Sequence, residues 1–202
     1  MSRFIVGLTG GIASGKSALA SLLEAAGASL VDADQVARDI VQPGPVLEQI
    51  VAHFGPQVLL ANGQLDRRAL RERVFADPAE RQALEAITHP QIRARLQHDC
   101  EQASGPYAIA AIPLLAEAGG RERYPWLQRI VVVDVPVALQ KQRLIQRDDI
   151  DAELAERMIN AQASRDQRLA IADDVVVNDG DRAALAVQAE RLHQQYLRLA
   201  SL

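Results

Sequence analysis

The octapeptide Gly10-Gly11-Ile12-Ala13-Ser14-Gly15-Lys16-Ser17 constrains this chain more than any other feature. It satisfies the phosphate-loop pattern G-x-x-x-x-G-K-[ST] in full. With average residue usage, a chance match in a chain of this size falls below about one per cent. Its setting agrees. Residues 4–8 form a short apolar run before it, and residues 17–26 after it carry Leu19, Leu22 and Leu23 at helical spacing. Glycines let the backbone close tightly around an anion and point successive N–H groups inward. A helix opening near Lys16 turns its positive end toward the same anion. In such a loop Gly10 to Gly15 cradle the phosphates of a nucleoside triphosphate, with Ile12, Ala13 and Ser14 at the tip. The Lys16 ammonium reaches the β and γ phosphates, and the Ser17 hydroxyl ligates Mg²⁺. Of the 22 basic residues only Lys16 and Lys141 are lysines, so the lysine in this loop stands out against an arginine-rich background. The dinucleotide spacing G-x-G-x-x-G fails, because Ile12 stands where a glycine is needed. Neither Asp-x-x-Gly nor Asn-Lys-x-Asp occurs, which argues against a GTP switch.

The remaining chain supplies a scaffold for such a loop. Further short β-rich runs lie at 28–31, 107–112, 129–135 and 174–177, each between stretches of helical pattern. Short apolar strands alternating with amphipathic helices predict an α/β fold, a parallel sheet covered on both faces. Residues 36–102 carry helical periodicity and breakers but no convincing strand. A helix over 46–54 stops at Gly55-Pro56, Asn62-Gly63 marks a turn, and Asp66 caps a further helix. A helix from about residue 79 breaks at His89-Pro90 and resumes to Leu96. Residues 137–172 form a second helical stretch. The expected organisation is a nucleotide-binding core (1–35, 103–136 and 173–202), a helical acceptor-binding insertion (36–102) and a lid (137–172).

Composition excludes several alternatives. With 22 basic against 26 acidic residues the net charge is −4, which gives no reason to expect a nucleic-acid or anionic-membrane partner. The single cysteine, Cys100, allows no internal disulfide and suits a reducing compartment, so a cytoplasmic protein is expected. No His/Cys spacing resembles a zinc site. No apolar run approaches the ~20 residues of a membrane helix, and the N-terminal apolar run is too short for a signal peptide.

Candidate acceptor chemistry starts at Asp32 and Asp34, at the end of the second expected strand. Carboxyl ends of parallel strands share one edge, where ligands bind. A carboxylate there can orient an acceptor hydroxyl and take its proton, while one of the pair can instead cap the following helix. Arg143 with Arg147, and Arg165 with Arg168, share helical faces in the 137–172 stretch. Most of these read as surface charge; Arg147 is the strongest candidate for the triphosphate, although Asp148, Asp149 and Asp151 follow it and can tie it up. Glu117 after the third strand either faces the cleft or caps a helix. Residues 130–133 followed by Asp134 have the look of a Walker-B strand.

Taken together these stretches resemble the dephospho-CoA kinase family, whose members complete coenzyme A synthesis. The resemblance runs over essentially the whole chain. It rests on residues 6–17 with the phosphate loop, Val31-Asp32-Ala33-Asp34 leading to Arg38, and Leu65-Asp66-Arg67-Arg68. His89-Pro90, Pro113-Leu114-Leu115 with Glu117, Gln146-Arg147, Ala161-Gln162 and Asn178-Asp179-Gly180 complete it. The chain has Ala13 where many relatives carry glycine. The resemblance implies a P-loop kinase fold of the nucleotide-kinase type, three-layered, with a five-stranded parallel sheet, a helical CoA-binding domain and a lid. It implies an enzyme acting on ATP and dephospho-CoA with Mg²⁺, and Asp34 as the base at the ribose 3′-hydroxyl; the sequence itself gives no oligomeric state, and a monomer is expected. Lys16 and Arg147 then act on the phosphates, and Asn178 lies near the adenine. Arg67, His89, Leu115 and Glu117 fall on the acceptor side. A nucleoside or nucleotide kinase is the alternative.

Overall fold

The computed structural model describes residues 4–202. Its centre is β1 (Ile5–Gly10), buried along its whole length. With β2 (Ser29–Asp32), β3 (Ala108–Ala111), β4 (Arg129–Asp134) and β5 (Asp174–Val177) it forms a five-stranded sheet of order β2-β3-β1-β4-β5. β1 runs parallel to both neighbours, Val6 opposite Ile109 and Leu8 opposite Val131, and β4 runs parallel to β5. A strand paired on both edges and covered on both faces has no solvent side. That is why β1 reads as a continuous apolar run rather than an alternating one. All five strands fall where the apolar runs predict them, to within one or two residues at each end.

One sheet face packs on α1 (Lys16–Ala25) and α10 (Arg182–Ala200), through Leu19, Leu23, Leu185, Leu192 and Tyr196 against Val6, Leu8, Val131 and Val133. Burying each such side chain contributes roughly 1.5–3 kcal/mol, so this layer holds the phosphate loop's parent strand firmly. On the other face, Gly7 lies against Leu115 and Leu127. Leu115, which the resemblance puts on the acceptor side, is fully buried there. Its apolar side chain is a core residue with no surface to offer a substrate.

The chain divides into two compact units, one holding the sheet up to Val31 and from Asp99 onward, the other Asp32–His98. The second unit starts and ends four residues before the 36–102 insertion read from the sequence. It contains α2 (Ala33–Asp39), α3 (Pro45–Phe54), a 3₁₀ turn (Pro56–Val58), α4 (Arg67–Ala76) and most of α5 (Pro78–Gln102). Val41, Ile50, Phe54, Val58 and Leu70 form its own small core. Asp66 caps α4 as its position predicts, accepting from the N–H groups of Arg68 and Ala69 at 3.0 Å. α6 (Gly120–Arg123), α7 (Val137–Asp148), α8 (Ala152–Asn160) and α9 (Arg165–Ala170) all belong to the first unit. The expected lid stretch is therefore part of the sheet's own unit rather than a separate body.

One boundary differs from expectation. α5 runs unbroken through Pro90, where an interruption is expected. Proline removes one backbone hydrogen bond and crowds the preceding turn. In a 25-residue helix, with Leu96 and Cys100 buried further along, the remaining bonds and packing outweigh that loss.

Cys100 carries a direct prediction. It is fully buried, and burial together with the Asp99 and Glu101 charges pushes its thiol up to about 12. Only the thiolate reacts, so the native protein is expected to resist a thiol reagent at pH 8 and to react fully in denaturant. Rapid labelling of the native protein would contradict this burial. Among the described residues no helix is long and apolar enough to cross a membrane.

Candidate active site

The chain leaves β1 at Gly10 and enters α1 at Lys16, forming the phosphate loop at the carboxyl edge of the central strand. Gly15 precedes α1 with φ +94°, and no side chain caps the helix there. A Cβ at Gly15 would sit 2.1 Å from the Asn178 amide nitrogen, so only glycine fits. An uncapped helix start behind a glycine leaves N–H groups turned toward the loop, which suits an anion. Lys16 is half-buried at the first helical position, and the Ser17 side chain is exposed.

Neighbouring elements lock the loop from several directions. Asn178, just past β5, is buried and donates its amide to the Ser14 carbonyl at 2.7 Å. Arg143 on α7 donates to the Asn178 carbonyl at 2.8 Å. Together with Ser17, Ser21, Arg182 and Leu185 these residues line an open cleft of about 520 Å³ beside the start of α1. Gln140, fully buried on α7, donates to the Ile12 carbonyl at 2.8 Å, and Gln162 accepts from the Ile12 N–H at 2.7 Å. A Cβ on Gly11 would meet the Gln140 amide at 2.7 Å and the Arg168 guanidinium at 2.9 Å, so Gly11 leaves room for both side chains beside the loop.

Asp134, at the end of β4, is buried and accepts two hydrogen bonds from the Arg165 guanidinium, at 2.8 and 2.6 Å. That bidentate guanidinium holds the Asp134 carboxyl below the usual carboxylate range. Arg168 on α9 is buried with its guanidinium bonded to the Ala163 carbonyl. Burial lowers its pKa from the usual arginine value, while the Glu117 and Asp134 charges oppose that shift. An arginine starts so high that it stays cationic. The loop therefore sits beside a partly desolvated positive charge, which strengthens the attraction for a polyphosphate. Glu117 accepts from the Ala163 N–H at 2.7 Å, which anchors the approach to α9. Ser164 then opens α9 with a reciprocal capping box to Gln167.

Leu115 and Glu117 aside, whose places are given above, the residues expected from sequence separate into three groups. Gly10 to Ser17 and Asn178 come together as one site. Arg147, at the end of α7, is half-exposed and clasps Asp148 at 2.7 and 2.8 Å; among the described residues that is its only partner. Asp32, Asp34, Arg67 and His89 lie in the second unit. There Asp32 caps α2 by accepting from the Asp34 N–H at 2.7 Å. Asp34 sits in the first turn of α2 with its carboxylate exposed and without a hydrogen-bond partner among the described residues. Arg67 is exposed and donates to the Arg38 carbonyl at 3.2 Å, and His89 is exposed on α5.

Sequence reasoning missed Gln140, singled out Gln162 without giving it a role, and took most of Arg143, Arg165 and Arg168 as surface charge. The i, i+3, i+7 spacing of Gln140, Arg143 and Arg147 does put all three on one face of α7. Nothing local distinguishes the two that reach the loop region from the one that does not.

Comparison with known proteins gives the family. The family model described as dephospho-CoA kinase matches residues 4–184. A dephospho-CoA kinase of Xanthomonas oryzae pv. oryzae is 66% identical over 196 residues, covering 97% of each chain. One from Xylella fastidiosa is 61% identical over 201 residues, covering 100% of this chain and 97% of its own. Among solved structures, a dephospho-CoA kinase from Campylobacter jejuni superposes with a TM-score of 0.72 at 27% identity, over 98% of each chain. A shikimate kinase from Acinetobacter baumannii, 17% identical, covers 96% of this chain and 93% of its own with a TM-score of 0.55, a likeness of fold alone. The phosphate loop, its setting at the carboxyl edge of a parallel sheet and full-length similarity lead to one conclusion: this chain is a kinase that belongs to the dephospho-CoA kinase family.

Proposed function

We propose that the protein transfers the γ-phosphoryl group of ATP to the ribose 3′-hydroxyl of dephospho-CoA, giving CoA and ADP. The observation that carries the ATP half is the ordered phosphate loop, with Lys16 at its helix start and the Asn178 cleft beside it. In this reading the loop N–H groups and Lys16 hold the β and γ phosphates, and the nucleoside lies toward Asn178 in the adjoining cleft. Its 520 Å³ lies in the range of small-molecule sites. The acceptor half rests on family membership and on the state of the two aspartates. Asp32 is committed to a helix cap, whereas Asp34 has an open carboxylate. Asp34 takes the proton of the 3′-hydroxyl as its oxygen attacks the γ-phosphorus, the bond to the β–γ bridging oxygen breaks and ADP leaves. Arg67, His89 and Glu117 remain candidates for the acceptor side.

Arg147 enters this reading by exchange of partners. Its pair with Asp148 lies at the surface, where such a pair contributes only about 0–1 kcal/mol. A triphosphate offers more negative charge, so the guanidinium can leave Asp148 for the transferring phosphates at small cost. Mg²⁺ fits the site in a limited way. Among the described residues no cluster of three acidic, histidine or cysteine side chains could hold a metal. The exposed Ser17 hydroxyl suits an ion held mainly by substrate phosphates and water, and Asp134 is engaged by Arg165. Such an ion, held through Ser17, would supply positive charge to the phosphates during transfer.

An ADP-release assay with ATP and a panel of acceptors tests the proposal. Dephospho-CoA is expected to be phosphorylated, with a product that carries one more phosphate by mass and loses it to a 3′-nucleotidase. AMP, CMP, thymidylate and adenosine are expected to be poor acceptors. Robust turnover of any of these with dephospho-CoA inert would make the protein a nucleoside or nucleotide kinase and remove the acceptor roles of Arg67 and His89.

A further inference from the structure

The tip of the phosphate loop contains a backbone conflict. The Ser14 N–H bonds the Gly11 carbonyl at 3.0 Å, closing a β-turn with Ile12 and Ala13 at its central positions. Ala13 has φ +58°, whereas Ile12 is not among the positive-φ residues. A positive φ at the second central position alone defines a type II turn, where glycine is favoured and alanine is strained. The relaxed alternative is a type I turn, which Ala13 adopts without strain. The two differ by a flip of the Ile12–Ala13 peptide. That flip exchanges the directions of the Ile12 carbonyl and the Ala13 N–H, presenting an acceptor where a donor had been.

We infer that Gln140 is a positioning residue that holds the Ile12–Ala13 peptide in the strained orientation, keeping the Ala13 N–H available for phosphate. The inference rests on the reading of this loop as the ATP site. Its basis is the Gln140 Nε2 bond to the Ile12 carbonyl at 2.8 Å, made from a fully buried helical position. After a flip that carbonyl would turn away and the bond would be lost. Gln162 secures the other side of Ile12 by accepting its N–H at 2.7 Å. Amide polarity leaves one choice for Gln140, because only Nε2 can donate to a carbonyl. The orientation also carries a cost: the Gln140 Oε1 is buried and has no hydrogen-bond partner. A buried unpaired oxygen is unfavourable, and an apolar side chain of similar volume would avoid it. The glutamine thus serves the loop at some expense to the fold.

This role separates binding from stability. Gln140→Met removes both the orphan oxygen and the bond to Ile12. It is expected to leave the melting temperature unchanged or raise it while weakening ATP binding roughly three- to tenfold, the usual scale of one lost hydrogen bond. KM for ATP should rise more than KM for the acceptor. Ala13→Gly, introduced into Gln140→Met, removes the strain that drives the flip and is expected to recover at least half of the lost affinity. Gln140→Leu, which likewise lacks both amide atoms, forms a second arm with the same loss and the same rescue, should Gln140→Met fold poorly. Calorimetry with ATP reads all of these variants. Wild-type binding that Lys16→Ala abolishes assigns the loop to ATP, and absence of wild-type binding would overturn that reading and this inference together. Given wild-type binding, unchanged affinity in Gln140→Met, or no recovery on adding Ala13→Gly in either arm, would overturn the inference alone.

Discussion

Lys16→Ala is expected to lower phosphoryl transfer by roughly 10²–10³-fold or more, the range seen when one preorganised charge is removed from a developing anion. The reason is geometric. Lys16 starts α1 directly behind the loop, at the one place where its charge and the helix terminus act on the same phosphates. Its side chain is only half-buried, so its removal opens no core cavity and the melting temperature should hold. Steady-state turnover together with thermal melting checks both halves. Near-normal turnover with unchanged melting would remove the phosphate loop from the mechanism.

Asp34→Asn is expected to cost about 10²–10⁴-fold in turnover, the usual contribution of a positioned acid or base. Asparagine keeps the shape but cannot take the hydroxyl proton. ATP affinity should change little, because the assigned partner is the acceptor. Asp32→Asn is the internal control. Asparagine caps a helix about as well as aspartate, so the Asp32 bond to the Asp34 N–H survives and turnover should fall only slightly. A larger loss at Asp32 than at Asp34 would reverse the assignment of the base.

Legibility followed how local each determinant is. β1 could be read because burial on both faces leaves only apolar residues over its first turns of sequence, and the loop because its glycines and Lys16 are adjacent in the chain. The Asp66 cap of α4 was legible for the same reason: its oxygen bonds N–H groups two and three residues on. Pro90 was misread as a break because its local cost is plain in the sequence, while the rest of a 25-residue helix that outweighs it is not. Leu115 was misplaced because an apolar residue after a strand suits a core and a substrate pocket equally well, and only the sheet's covered face decides between them.

The arginines and glutamines show the limit most clearly. Arg143 and Arg147 stand one helical turn apart on α7, yet one bonds the Asn178 carbonyl and the other clasps its neighbour Asp148. A charged side chain has the same chemistry at the surface and against a buried carbonyl. Which of these it meets depends on how α7 and α9 lie beside β4 and the loop. Gln140 drew no reading from the sequence; in the fold it is fully buried against Ile12. The sequence by itself determined the strands, the phosphate loop and the family, because backbone conformation and burial on both sides of a strand act over a few consecutive residues. Only the tertiary structure decided which polar side chains hold that loop, because the partners of Gln140, Gln162 and Asn178 lie more than a hundred residues away in the chain and a hydrogen bond has no sequence period to announce it.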